Sequence, residues 1–219
     1  TNEAEKIGAT LDTTATATHF DILKLGVSIW NQWRASEPLI VPNLQNTDLS
    51  KLHLENINLC RANLRGAKLS HTYLYDADFQ DADLRQADLT RALLIGANLH
   101  KADLSGAVLE QAYLAQSDLS NANFTGAHLQ KADLKDALLT HAVLVDACVA
   151  EADLATSFDL TQAQLDKAKD AHLAYYLDSL VSESAHAPSE ALPSEIAVAG
   201  KPQSLRPIEI SRSVAHYAA

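Results

Sequence analysis

The sequence predicts a solenoid, because one five-residue phrase is repeated from residue 42 to residue 157 without an insertion. The central position of the phrase recurs 23 times between Leu44 and Leu154, and 20 of these positions hold Leu. The three exceptions are Phe79, Phe124 and Val149. Ala lies two residues before the central position in 17 of the 23 repeats. A period of five matches neither a helix nor an ordinary strand, so the chain must turn at every repeat and stack its turns.

The repeats also resemble a known family. The phrase ADLRQADLTRALLIGANLHKADLSGA, at residues 82–107, is similar to the pentapeptide-repeat family, whose unit reads A-(D/N)-L-x-x. This resemblance implies a right-handed quadrilateral β-helix in which each repeat forms one side and four repeats form one coil. The repeats would then make between five and six coils. The predicted fold class is an all-β solenoid with α-helices flanking both ends.

The region before the repeats is predicted to be an arm followed by a capping helix. Residues 1–17 are rich in Thr and Ala, have no period, and are assigned to the arm. Residues 18–41 contain an apolar stripe at helical spacing, with Thr18 as a possible N-cap. The WNQWR phrase within them resembles the helix that precedes the repeats in stand-alone bacterial, often cyanobacterial, members. We expect Trp30 and Trp33 to cover the end of the core, and a binding role for either is the less favoured alternative.

The region after the repeats is predicted to be a second capping helix and an extended tail. The helix is assigned to residues 158–183, where Thr161 and Gln164 form a capping-box pattern. Residues 184–219 are rich in Pro, Ser and Ala, a composition typical of a linker. Its apolar residues could dock on a partner or on the solenoid, and a partner could order both termini. These residues are Ile208, Ile210, Val214 and Tyr217.

Composition and motifs argue against several functions. The formal net charge is −11 and no basic patch is present, so direct binding of nucleic acid is not expected. The sequence contains no run of 18 apolar residues, so no membrane span is predicted. No catalytic, metal-binding or cofactor-binding motif occurs, and no enzymatic activity is expected.

Cys60 and Cys148 lie too far apart for a disulfide and are read as free thiols, which favours the cytoplasm. A removed targeting peptide remains open, because residue 1 is Thr.

Most of the carboxylates are explained by the repeat. Within each repeat the central Leu and the Ala two residues earlier should point inward, and the other three residues outward. Asp and Asn just before the central residue suit a corner, because their side chains bond the local backbone. Four glycines fall two residues after the central position, where the chain must turn. They are Gly66, Gly96, Gly106 and Gly126.

One side of the predicted solenoid carries an apolar patch. We number the sides by their first central residues, which are Leu44, Leu49, Leu54 and Leu59 for sides one to four. Residues four repeats apart should stack, so the outward residues of three successive coils on side three form a block. The candidate partner-binding residues are Tyr73, Tyr75, Leu93, Ile95 and Tyr113, and Ala115 completes the block. The carboxylates around it are Glu55, Asp76, Asp133, Asp136 and Asp153.

The patch favours one of two functions. A rimmed apolar patch usually marks an interface, so we expect a non-enzymatic scaffold or adaptor that binds a protein or a second copy through side three. Such a protein could be one subunit of a larger assembly. A cover formed by the protein's own terminal helix or tail is an equal alternative. The family resemblance offers another function, in which an acidic solenoid mimics DNA and protects DNA gyrase. Side two argues against it, because its outward charges sum to zero and include Lys51, Lys68, Arg91 and Lys131.

Overall fold

Residues four repeats apart pair throughout the repeats, as the period of five predicts. The computed structural model describes residues 18–175, and the predicted arm 1–17 and tail 184–219 lie outside that range. Isolated parallel bridges join the residue before each central position to its counterpart four repeats later, from Asn43 and Asn63 to Leu138 and Phe158. Backbone bonds flank each bridge: the Leu44 N–H donates to the Asn63 carbonyl at 2.8 Å, and the Asn63 N–H donates to the Pro42 carbonyl at 2.8 Å. Each coil therefore consists of four repeats and contributes one level to each of four ladders.

The core is built from the two inward positions of each repeat. All 23 central residues are buried, and Ala packs between them at most of the second inward positions. Thr72 and Ser117 replace Ala at two of these positions, and their hydroxyls donate to the carbonyls of Leu49 and Leu114 at 2.9 and 2.6 Å. Each buried Leu gains about 1.5–3 kcal/mol of transfer free energy, most of which offsets the lost chain entropy. The inward orientation of Leu and Ala is confirmed.

The corners of the coil all have one conformation. The residue two after each central position, from Asn46 to Glu151, has a φ between 53° and 72°. The N–H of the following residue donates to the carbonyl of the central residue, as from Ala67 to Leu64 at 2.9 Å. A positive φ at the third residue of a four-residue turn defines a type II turn. The four repeat glycines occupy this position, where the left-handed conformation costs glycine least.

Asp and Asn reinforce these corners from the position before the central residue. Every Asp or Asn at that position, 13 in all, accepts a hydrogen bond from the N–H two residues later. The bond from the Ser50 N–H to Asp48 Oδ1, at 3.1 Å, is typical. Such local bonds stabilise turns, so the acidity of the repeats is largely structural, as the sequence indicates.

Two helices precede the first coil where the sequence predicted one. Helix α1 spans His19–Leu23 and helix α2 spans Val27–Ser36. They are separated at Gly26, which has a φ of 106°, a conformation that a helix cannot contain. Thr18 caps α1 as predicted, in a reciprocal capping box with Asp21. Glu37, which precedes Pro38, lies outside helical geometry, so α2 ends where the proline requires.

Side chains of α2 replace the coil that is missing before side four. Within the solenoid, the carbonyl of Asp78 accepts the N–H of Leu59 at 2.7 Å. One coil earlier, the carbonyl of Asn58 instead accepts the indole N–H of Trp30 at 2.7 Å. Asn31 pairs with the Asn56 carbonyl and the Asn58 N–H, and Arg34 donates to the Cys60 carbonyl at 3.1 Å. The WNQWR phrase thus satisfies the edge of the first coil, and Trp30 is fully buried.

The long C-terminal helix predicted over 158–183 is not present in residues 158–175. Helix α3 spans only Gln162–Leu165, and a 3₁₀ turn spans Ala171–Leu173. The chain instead continues as an irregular coil, because Lys169 bridges to Cys148 and Tyr175 bridges to Asp153, pairs that lie slightly more than four repeats apart. The predicted capping box is present, and the Gln164 amide also donates to the carbonyls of Leu139 and Ala142. Residues 176–183 lie outside the described range.

We predict that Trp30→Phe lowers the free energy of unfolding by about 1–3 kcal/mol, because it leaves the Asn58 carbonyl without its donor. Trp33→Phe is the matched control: Trp33 is only partly buried and packs against Trp30 with ring centroids 5.0 Å apart. Chemical denaturation of both variants beside the wild type measures the difference. Equal losses for the two variants would contradict the role of the indole hydrogen bond.

Candidate functional site

The candidate site is a ladder of outward residues on side three. Parallel bridges join His53, Tyr73, Leu93 and Tyr113 in sequence and continue to Asp133, Asp153 and Tyr175. A second column lies two residues further along the chain in each coil and contains Glu55, Tyr75, Ile95 and Ala115. Backbone bonds also pair this column between coils: the N–H of Asp76, which follows Tyr75, donates to the Ile95 carbonyl at 3.1 Å. The structure therefore brings the five predicted residues into one block. We call the block, with Ala115, the side-three surface.

The side-three surface is partly exposed, and one of its rings stacks on a neighbouring side chain. Tyr73 and Tyr113 retain 36% and 45% of their accessible surface, and the other members are intermediate in exposure. The His53 ring stacks on the Tyr73 ring with centroids 4.2 Å apart and planes inclined by 9°. His53 was not among the residues of the patch expected from the sequence. The signal that could have identified it is its position one coil before Tyr73, in the same column.

The side-three surface occupies positions where the repeat elsewhere uses Asp or Asn. In four successive coils the residue before the central Leu is His53, Tyr73, Leu93 or Tyr113, and none of these accepts the local corner bond. Sides one and four hold Asp or Asn at every corresponding position before residue 138. The corner conformation persists without the bond, since Asp76 and Gln116 keep φ values of 53° and 61°. The aromatic and aliphatic side chains are therefore not required by the turn.

Charged residues border the surface at both ends. Before it, Glu55 accepts a hydrogen bond from His53 at 2.9 Å. Burial acts to raise the pKa of Glu55, but the hydrogen bond from His53, a backbone hydrogen bond and the electrostatic interaction with His53 together lower the pKa overall. After the surface, Lys135 contacts Asp153 at 2.7 Å and Asp133 at 4.0 Å. The hydrogen bond to Asp153, aided by the charge of Asp133, raises the pKa of Lys135. Lys135 was not among the border residues expected from the sequence.

Other parts of the described chain do not form a chemical site. Among residues 18–175, no three His, Cys, Asp or Glu side chains are grouped to hold a metal ion. Cys60 and Cys148 are unpaired with each other, and burial raises the pKa of the Cys60 thiol. A cavity of about 520 Å³ lies where α3 leaves side one, and it is lined by Val143, Val145 and Lys167 among others. In its walls the exposed hydroxyl of Thr140 donates to the carboxylate of Asp159 at 2.7 Å, which ties the last regular coil to the segment before α3.

Comparison with known families decides the identity of the repeats. The family model described as "Pentapeptide repeats" matches residues 43–81, 72–111 and 117–154, with eight copies. The chain belongs to the pentapeptide-repeat family. The ladders, the buried Leu and Ala and the uniform corners then describe a right-handed β-helix solenoid. The family model describes a structural repeat and indicates no catalytic family.

Solved structures of other pentapeptide-repeat proteins resemble the chain. A protein from the thylakoid lumen of Arabidopsis thaliana is 30% identical over 53% of this chain and 74% of its own length, with a TM-score of 0.45. Rfr23 from the cyanobacterium Cyanothece is 25% identical over 51% of this chain and 88% of its own, with a TM-score of 0.40. QnrB1, a plasmid-mediated fluoroquinolone resistance protein, is 18% identical over 63% and 84% of the two chains, with a TM-score of 0.33. No curated protein matched the sequence.

The described helices are short. The longest of those within residues 18–175 is α2, with 10 residues, and none is long and apolar enough to cross a membrane. This result covers only the part of the chain that the structure describes.

We predict that Tyr113→Asn leaves the free energy of unfolding within about 0.5 kcal/mol of the wild type, because Asn supplies the corner bond that most repeats possess. The reverse substitution on side four, Asn98→Tyr, is the control. It removes the bond to the His100 N–H and the bond to Asp78, and it should cost about 1–2 kcal/mol. Chemical denaturation measures both. A loss at Tyr113 as large as that at Asn98 would show that the aromatic residue serves the fold.

Proposed function

We propose that this protein is a non-enzymatic scaffold or adaptor that binds a protein through the side-three surface. The observation that carries the proposal is the run of four successive coils in which His53, Tyr73, Leu93 and Tyr113 replace the Asp or Asn that serves the corner. Large apolar side chains on a solvated face gain nothing for the turn and lose a local hydrogen bond. Contact with another surface accounts for their presence at these positions.

The composition and rigidity of the surface support this role. Tyrosine is enriched at protein interfaces, where its ring packs on apolar groups and its hydroxyl bonds polar ones. The side chains stand on paired backbone, so little ordering is needed when a partner binds. The stack of His53 on Tyr73 further restricts both rings. Such a prearranged surface suits an adaptor that must hold two components in fixed positions. Its free thiols suit a reducing compartment such as the cytoplasm.

Mimicry of DNA for the protection of gyrase is less well supported. A DNA mimic needs acidic groups that repeat along one face, like the phosphates of a duplex. Here the local carboxylates bond their own backbone, and Arg85 neutralises Asp83 at 2.6 Å on side one. Lys68 and Lys131 on side two pair with Asp48 and Glu151. The longest continuous run of departures from the repeat, on side three, is aromatic and aliphatic rather than acidic.

We predict that Leu93→Asp with Tyr113→Asp abolishes capture of the partner without loss of folding, because Asp is the usual residue at both positions and can form the corner bond. The wild-type chain and the variant are each immobilised, exposed to native lysate and analysed by mass spectrometry. Leu138→Asp with Val143→Asp is the matched control. It places two Asp residues at the same repeat position on sides four and one, adds the same charge, and should retain the partner.

Circular dichroism and thermal melts verify that both double variants remain folded. Equal capture by the wild type and the side-three variant would remove the side-three surface as the binding site.

For the gyrase alternative, we predict no inhibition of gyrase supercoiling by the purified protein at micromolar concentration. A DNA-mimicking protein in the same assay is the positive control. Inhibition that persists in the side-three double variant would favour mimicry through the acidic faces over the adaptor role.

A further inference from the structure

We infer that the partner of the side-three surface is a second copy of this chain, bound antiparallel across a two-fold axis. This inference rests on the proposed function, since it needs the side-three surface to be an interface. The axis would lie along the strand that contains Leu93 and Ile95, between the two faces. Rotation about it reverses the order of the coils and keeps each column opposite itself. Both copies therefore use the same surface, as in any closed two-fold interface.

The apolar rows match under this rotation. Leu93 and Ile95 of one copy meet the same residues of the second copy at the axis. The row of Tyr73 and Tyr75 meets the row of Tyr113 and Ala115, because each lies one coil from the axis. Tyr75 therefore faces the small side chain of Ala115, which leaves room for its ring between faces about 10 Å apart.

The charged rows match as well. Two coils from the axis, the row of His53 and Glu55 meets the row of Asp133 and Lys135. Glu55 then faces Lys135, and His53 faces Asp133, so both contacts join complementary groups. Charge complementarity of this kind fixes the register of an interface. The two-fold axis repeats the pair, giving two Glu55–Lys135 contacts in each dimer.

The geometry tolerates the usual angle between packed sheets. At about 30° between strand directions, a row roughly 10 Å from the axis shifts sideways by about 5 Å, which long Glu and Lys side chains can span. Five rows of two residues form a small interface, below the range typical of permanent dimers. The dimer is therefore expected to be weak and to exchange readily with monomer, which leaves the same surface open to regulated assembly.

The test uses a pair that cannot interact within one chain. Glu55 and Lys135 are four coils apart, about 19 Å at the spacing of paired strands. Full-length Glu55→Lys and full-length Lys135→Glu are prepared separately and studied by sedimentation velocity, alone and mixed in equal amounts. Each variant alone places like charges in both contacts and should dimerise at least about tenfold more weakly than the wild type, equivalent to about 1.4 kcal/mol. The mixture restores opposite charges in both contacts and should recover dimers.

Each outcome separates the inference from the proposed function. Recovery in the mixture supports the antiparallel dimer, and loss of dimers in Leu93→Asp with Tyr113→Asp places it on side three. If both single variants weaken the dimer and the mixture does not recover it, the antiparallel register is overturned. In a parallel arrangement, Glu55 would lie opposite His53 rather than Lys135. A wild-type chain that stays monomeric, yet captures another protein through side three, overturns the inference and leaves the adaptor role intact. A dimer unaffected by the side-three variant also overturns it.

Discussion

The structure depends on one turn that is repeated at every fifth residue. All 22 positions from 46 to 151 in steps of five have a left-handed φ, and each corner is closed by the same backbone bond to the central carbonyl. An insertion of one residue would move inward side chains outward in every later coil. The uniform corner therefore keeps every coil at four repeats, and this fixed length aligns the ladders on which all surface features are arranged.

The same constraint separates residues that serve the fold from residues that do not. The fold needs the two inward positions, the corner residue and, where present, the Asp or Asn that bonds the corner. The remaining outward positions can vary at little cost. A contiguous apolar departure such as Tyr73, Leu93 and Tyr113 is therefore informative, whereas an isolated one such as Lys68 on side two is not. Because every coil has the same length, residues that are neighbours in adjacent coils can be identified from the sequence.

Much of this could be predicted from the sequence, and the failures share one cause. The period, the inward residues, the corner glycines and the alignment of side three follow from local repetition. The C-terminal helix was overextended because a capping box at Thr161 reports only where a helix starts. Pairing of Lys169 with Cys148 then draws the chain back into a coil, a long-range effect that helix propensity does not include. His53 and Lys135 were missed because their roles depend on neighbours in adjacent coils.

The closed N-terminal edge bears on how the protein can associate. An open coil presents unpaired backbone groups that invite end-to-end addition of strands. On side four this edge is occupied by the side chains of Trp30, Asn31 and Arg34, which supply the hydrogen bonds of a missing coil. Association through that edge would have to displace a fully buried indole. A lateral contact displaces only water from the exposed rings of Tyr73 and Tyr113, so the side-three surface is the less costly route to a second copy.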